Sequence, residues 1–186
     1  MKVSQIVKIC GEMINLGLPD ELFDEGVSGS VAGQNPDVKV LINCCNFVLE
    51  ELYRDYATSL RKTVAQAVEG FVDTSQYKLC KVISLVDAEG NDVKFRYGDG
   101  GLYVDKDGKY NLCYARLPNA VEWEDEIVMP SPRVTERMLI YGVIREYFAS
   151  QGDWSSAKQW DVRFKDALMV SQVKVSSMRL PVGRWW

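Results

Sequence analysis

The stretch PDVKVLINCCNFVLEELYRDYATSL, residues 36–60, carries apolar side chains at three- and four-residue intervals. Its apolar face comprises Val38, Leu41, Ile42, Cys45, Val48, Leu49, Leu52, Tyr53 and Tyr56. This spacing is typical of an amphipathic helix with one side against a core. Asn35 or Asp37 can cap the first turn, where Pro36 is well tolerated. The sequence therefore predicts a helix over residues 37–60.

The same periodicity predicts three further helices, over residues 3–16, 132–151 and 154–170. Because only a short link at Gly152 separates the last two, we expect them to form an antiparallel hairpin. The aromatic residues at helical spacing on this hairpin are interpreted as its core rather than as a base-stacking surface: Tyr141, Tyr147, Phe148, Trp160 and Phe164. Residues 23–36 are rich in glycine and polar side chains, which predicts a loop that orders on assembly.

Residues 71–128 follow a different period. The segment KLCKVISLV, residues 78–86, is rich in β-branched side chains, and Val93, Phe95 and Tyr97 alternate with polar residues. Alternation of this kind is typical of half-buried antiparallel strands. Glycine-containing turns separate the short strands, so the region is predicted to be an inserted β-meander or a small barrel.

Together these elements predict an α+β fold. We expect an antiparallel bundle of about four helices with an inserted antiparallel β-meander or small barrel and an extended C-terminal arm. Residues 1–170 would form a single domain and residues 171–186 the arm. A chain of 186 residues with 47% hydrophobic composition is large enough to bury one sizeable core.

The composition narrows the possible functions. The chain contains no histidine, which excludes His-based triads and the commonest metal ligand, although carboxylate or lysine chemistry stays open. Its five cysteines include no Cys-x-x-Cys pair, so we expect small buried hydrophobes rather than disulfides or a zinc site. The net charge of −4 gives no signature of broad nucleic-acid binding. With no membrane-spanning run and no signal-peptide layout, we expect a protein of the cytosol, or of something assembled there, that is not an enzyme and needs no cofactor.

One acidic run, Glu122-Trp123-Glu124-Asp125-Glu126, is a candidate site. Its carboxylates would serve acid–base chemistry only if a pocket paired them, and a solvated acidic edge is the simpler interpretation. In a channel protein such an edge would line the path and repel DNA phosphates, or it would lie between subunits. Trp123 is interpreted as an anchor, either into the core of this chain or into a neighbour.

The last sixteen residues differ from the rest, because they carry three basic residues and no acidic one. We predict a docking arm whose partner-binding residues are Lys174, Arg179, Leu180, Arg184, Trp185 and Trp186. Tandem tryptophans at the end of an arm suit insertion into a pocket of a partner. The alternative is that they fold back onto the core of this chain, and the sequence does not choose between the two.

The order of these elements resembles that of the head-to-tail connector (adaptor) proteins of tailed bacteriophages. The segments that carry the resemblance are Leu49–Tyr56, Val86–Asn91, Leu112–Pro118, Met129-Pro130, Leu139–Val143 and Ala157–Phe164. The resemblance spans most of the chain and lies in the order and texture of its elements rather than in one diagnostic motif.

The resemblance implies a structural role in the neck of a virion, assembled in the host cytoplasm. Identical subunits would form a ring, dodecameric by expectation, that docks on the portal protein through the arm, extends the DNA channel and presents a surface to tail or neck proteins. DNA would pass without sequence-specific binding, and no membrane would be involved. The alternatives are a neck or tail-terminator ring, a ligand- or peptide-binding module with a groove beside Tyr97, Tyr103 and Tyr114, and a carboxylate-dependent hydrolase.

Overall fold

The computed structural model describes residues 1–24 and 26–172. The helices in this part of the chain are α1 (Val3–Met13), α2 (Gly29–Ala32), α3 (Pro36–Glu51), α4 (Glu136–Ser150) and α5 (Trp154–Gln172). The strands are β1 (Ser59–Val68), β2 (Phe71–Asp73), β3 (Leu79–Val86), β4 (Arg96–Gly98), β5 (Gly101–Tyr103) and β6 (Gly108–Arg116). The predicted docking residues of the arm, 174–186, lie outside the described residues.

Helix α3 begins where the sequence predicts, and Asn35 is its cap. The side-chain oxygen of Asn35 accepts hydrogen bonds from the backbone amides of Asp37, at 2.9 Å, and Val38, at 3.3 Å. The helix continues as a π-helical turn over Leu52–Tyr56 and ends there. The predicted helix to residue 60 is therefore too long, because Ser59 already begins β1.

Helix α4 packs against both α3 and α5 in a helical core, and a glycine permits the close approach. A Cβ atom at Gly142 would lie 2.5 Å from a methyl carbon of Val48 on α3 and 3.2 Å from the ring of Phe164 on α5. Both neighbours are fully buried. Tyr147 is buried in the same core, whereas Tyr141 is half-buried at its margin.

Arg145 ties the same three helices together by charge. Its guanidinium forms ion pairs with Glu51 on α3, with Glu146 at 2.8 Å and with Asp161 on α5 at 3.5 Å, and it lies 4.6 Å from the ring of Phe164. Burial alone would lower the pKa of Arg145, but hydrogen bonding to Glu51 and the nearby carboxylate charges raise it. The arginine therefore stays charged at the centre of the helical layer.

The strands form one six-stranded antiparallel sheet in the order β3-β6-β1-β2-β5-β4. The long pair β1–β6 runs from Ser59 opposite Arg116 to Ala67 opposite Gly108. On its other side β6 pairs with β3, with register shifts at residues 80 and 83 of β3. Strand β6, the last strand of the described residues, therefore lies between β3 and β1.

This strand order corrects the predicted fold class. In a meander, consecutive strands lie side by side, whereas here β6 lies between β3 and β1. In the predicted four-helix bundle the strands would be a minor insertion, whereas here they form a six-stranded sheet. The mixed α+β composition is as predicted, but the helical bundle with an inserted meander is wrong. The error arose at β1, because its inward residues Ala65 and Ala67 are small while its valines Val64 and Val68 face outward. The usual alternation of apolar and polar residues is therefore absent from this strand.

The sheet curls around a core of its own. The backbone amide of Val82 on β3 donates a 3.2 Å hydrogen bond to the hydroxyl of Tyr97 on β4, which joins the two edges of the sheet. The amide of Val93 also donates to the carbonyl of Leu85 at 2.8 Å. The buried residues inside are Ala65, Ala67, Val72, Val82, Leu85, Leu102, Val104, Tyr110, Leu112 and Tyr114.

The cap of α3 gives a first prediction. Replacing Asn35 by Ala should lower the free energy of unfolding by about 1 kcal/mol, because two backbone amides lose their acceptor. Urea denaturation measures the change. Asn35→Asp keeps a capping oxygen and should remain near wild type, and an equal loss in both variants would contradict the capping role.

Gly142→Ala tests the helical crossing. In an unobstructed helix this change would stabilise by about 1 kcal/mol. Here the added methyl group meets buried Val48, and we expect a net loss of about 1–3 kcal/mol in urea denaturation. The exposed substitution Ser155→Ala on α5 is the control, and a gain in stability for Gly142→Ala would show that the crossing is looser than described.

Candidate interaction surfaces

The acidic run forms an exposed edge between β6 and α4. All four carboxylates of residues 122–126 are exposed, and we call this segment the acidic edge. Trp123 within it is only 4% exposed and belongs to the helical core, with its ring centroid 5.7 Å from that of Phe23. Of the two interpretations of Trp123, the structure selects the anchor into the core of its own chain.

The acidic edge is held by the start of helix α1. The backbone amides of Val3 and Ser4, which have no acceptor within the helix, donate to the carbonyls of Asp125 at 3.0 Å and Trp123 at 3.2 Å. The amide of Ile127 donates to the carbonyl of Met1 at 3.0 Å. These contacts fix the backbone of the edge, and within the edge the carboxylate of Asp125 accepts a 2.8 Å hydrogen bond from the backbone amide of Glu122.

A cleft of about 380 Å³ lies beside the acidic edge. The cleft is lined by two carboxylates of the acidic edge, Asp125 and Glu126, and by Arg61 and Arg116 of the sheet. Because the lining mixes both signs of charge, it favours polar contact with another surface over selective capture of one ion. Within residues 1–24 and 26–172, no three His, Cys, Asp or Glu side chains lie close enough to hold a metal ion.

A second surface, which sequence analysis did not identify, is a groove of about 600 Å³ between α4 and α5. It is lined by three arginines, Arg133, Arg137 and Arg163, and by one carboxylate, Asp166. We call it the arginine groove. Its remaining lining residues are Thr135, Met138, Tyr141, Ala167, Val170 and Ser171.

Aromatic rings hold two of these arginines. The Nε of Arg137 donates a 2.6 Å hydrogen bond to the hydroxyl of Tyr141, and its guanidinium lies 5.2 Å from the same ring. The guanidinium of Arg163 lies 4.5 Å from the ring of Trp160, whose centroid is 5.5 Å from that of Tyr141. The two rings, predicted to be core, thus also form the support of a cationic surface. The sequence contained one sign of this surface: Arg137 stands four residues before Tyr141, a spacing that places both on one face of α4, and Arg163 is on the helix that pairs with α4.

A third surface is the outer face of the sheet. Leu60, Val64 and Val68 of β1 are 55%, 61% and 63% exposed, and Ile83 of β3 is 48% exposed. We call these four residues the apolar sheet face. Lys62 lies between them on β1, opposite Cys113 of β6. Solvated sheet faces are normally polar, so exposed apolar side chains on a central strand make this face a candidate interaction surface.

The groove expected for a ligand-binding module is not formed by the three tyrosines named for it. Tyr114 lies in the core of the sheet and stacks on Tyr77 at 5.5 Å, whereas Tyr97 and Tyr103 are exposed. The predicted interaction loop over residues 23–36 contains α2, whose Ala32 is buried.

The cysteines divide by location. Cys10, Cys44 and Cys45 are buried in the helical core, while Cys80 and Cys113 on the sheet are half-buried. Burial raises the pKa of Cys44 and of Cys45 to about 12, and that of Cys10 further. The three buried thiols are therefore held in the protonated, unreactive form at neutral pH.

Comparison of the sequence with protein-family models gives no match, and comparison with curated proteins gives none either. In the part of the chain that the structure describes, none of the helices combines the length and apolar character required to cross a bilayer. The function is therefore argued from the three surfaces.

Thiol labelling of the native protein at pH 8 should modify only Cys80 and Cys113, because a thiol with a raised pKa provides little thiolate. The three thiols of the helical core should react only after unfolding in urea. In the double variant Cys80→Ser with Cys113→Ser, rapid labelling should disappear. Persistent rapid labelling would show that the helical core opens in the native state.

Titration of the buried thiols also sets a pH dependence. Folding raises the pKa of Cys44 and of Cys45 from 9.0 to about 12. The contribution of the two thiols to stability is therefore complete below pH 9.0 and is lost as the pH rises towards about 12. The double variant Cys44→Ala with Cys45→Ala should flatten the loss of stability between those pH values. An unchanged pH profile in urea denaturation would contradict burial of the two thiols.

Proposed function

We propose that this chain is a structural subunit of a phage head-to-tail connector: a ring that docks on the portal protein, extends the DNA channel and offers an attachment surface to the tail. The observation that carries the proposal is the apolar sheet face. A long central strand directs Leu60, Val64 and Val68 outward, and each of the three side chains is more than half exposed.

Burial of this face against a partner is favourable for a simple reason. Complete removal of a large apolar side chain from water contributes about 1.5–3 kcal/mol, and these three side chains, each more than half exposed, would contribute a corresponding part of that on contact with a partner. Exposed Lys62 lies among these side chains on β1, and exposed Lys109 lies on the neighbouring strand β6, so the face offers charged as well as apolar contacts to a partner.

The arrangement of surfaces also suits a ring. A closed ring of identical subunits needs two different surfaces on each subunit, and attachment to portal and tail requires more. The acidic edge, the arginine groove and the apolar sheet face lie on different elements of the fold. The C-terminal segment, with Arg179, Arg184 and the two terminal tryptophans, is the proposed contact with the portal.

Deleting residues 173–186 tests the portal contact. This cut keeps all of the described part of α5, which extends to Gln172. Size exclusion with light scattering should show a defined complex when full-length protein is mixed with the portal ring of the same virus, and no complex with the truncated chain. Circular dichroism is the folding control, and undiminished binding of a folded truncated chain would contradict the docking role.

Lysine substitutions test the apolar sheet face. Val64→Lys with Val68→Lys should leave stability within about 1 kcal/mol of wild type, since both side chains are exposed. The same variant should lose assembly with the portal or tail proteins in the mixing experiment. Val162→Lys with Met169→Lys adds the same two charges at exposed apolar positions of α5, and equal loss in this control would show that added charge, not the sheet face, is responsible.

A further inference from the structure

We propose that neighbouring copies of this chain bind head to tail, with the acidic edge of one copy seated in the arginine groove of the next. The inference rests on the proposed function, because it specifies the contact between subunits within the ring. It commits to a second copy of this chain as the occupant of the groove.

The groove carries unbalanced positive charge. Its three arginines are accompanied by a single carboxylate, that of Asp166. Among the ion pairs formed within residues 1–24 and 26–172, none includes Arg133, Arg137 or Arg163. Guanidinium groups provide several donors in a planar array and bind carboxylates in pairs of hydrogen bonds. The matching occupant is therefore a surface with several carboxylates.

Two of the guanidinium groups are positioned in advance. The hydrogen bond from Arg137 to the hydroxyl of Tyr141 and the packing of Arg163 on Trp160 restrict both side chains. Binding to such a surface loses less side-chain freedom than binding to unrestrained arginines. The groove is therefore organised before its occupant arrives.

The acidic edge has the complementary properties. Its four carboxylates occupy five consecutive positions, all four are exposed, and none takes part in the ion pairs of the described residues. Buried Trp123 and the pairing with the start of α1 hold its backbone. It is a negatively charged segment with exposed Val128 two residues after it, and the groove has exposed Val170 in its lining. The valines add apolar contact beside the charges.

The contact is assigned to two copies rather than one. No ion pair joins the edge to the groove within the chain, and the two belong to different elements. The C-terminal segment 173–186 is an unsuitable occupant, because it has three basic residues and no acidic residue. A surface on one copy that binds a different surface on the next generates a ring when the rotation closes.

A charge exchange tests the pairing with the full-length chain. One variant reverses the edge from a charge of −4 to +2, Glu122→Arg with Glu124→Arg and Glu126→Arg, and the other reverses the groove from +2 to −2, Arg137→Glu with Arg163→Glu. Each variant alone has two surfaces of like charge, and sedimentation velocity at low ionic strength should show at least a tenfold weaker self-association than wild type. An equimolar mixture should regain association, because each edge then meets a groove of opposite charge. Association of the wild type should weaken as salt is added.

Matched variants make equal charge changes elsewhere: Glu89→Arg with Asp92→Arg and Asp99→Arg on turns of the sheet, and Lys39→Glu with Lys158→Glu on α3 and α5. These should associate as wild type does, and circular dichroism confirms folding of all variants. If the two test variants associate as strongly as wild type, or if mixing restores nothing, the pairing is overturned while a ring formed by other contacts stands.

Two other results also overturn the pairing. If wild type stays monomeric in sedimentation velocity but forms the complex with the portal ring, the proposed contact between subunits is wrong and the proposed function survives. If it stays monomeric in sedimentation velocity and in the portal mixture, the contact and the proposed function are both overturned. If a short DNA duplex binds wild type but not the groove variant, and self-association is unaffected by either reversal, the groove is a phosphate site.

Discussion

The packing of Trp123 is the constraint on which the rest of the structure depends. The segment between β6 and α4 must cross from the sheet to the helices, and this side chain fixes the crossing in the helical core. The same segment supplies acceptors for the first amides of α1, so the N-terminal helix and the crossing hold each other in place. As a consequence, a run of four carboxylates is displayed on a rigid backbone instead of a mobile loop. Removal of the indole would release the edge, the start of α1 and part of the core together.

The chain has two hydrophobic cores, one among the helices and one inside the sheet, and each supports a different surface. The helical core holds α4 between α3 and α5 by the close approach at Gly142 and by the ion pairs of Arg145, and this pairing of α4 with α5 creates the arginine groove. The sheet encloses a separate core with small residues of β1 on the inside. Because the larger apolar residues of β1 are turned outward, the sheet presents the apolar sheet face without loss of its own packing. Each core thus provides a stable base for a different surface.

The helices could be predicted from sequence because their apolar residues recur at helical spacing, and even the choice of cap at Asn35 was among the two residues proposed. The order of the strands in the sheet could not be predicted from sequence. Strand β1 lacks the usual alternation of apolar and polar residues, and nothing local indicates that β6 inserts between β3 and β1. The acidic edge was found as a run of like charges. The arginine groove was missed because its members lie some thirty residues apart, from Arg133 to Arg163, and meet only when α4 and α5 pair.

The proposed function requires many copies of this chain to form one closed assembly on a portal. Native mass spectrometry of the full-length protein mixed with the portal ring tests this requirement. One dominant complex is expected, heavier than the portal ring by a single integer multiple of the 21.1 kDa subunit mass. A broad ladder of masses, or a portal ring beside free 21.1 kDa monomer, would contradict it.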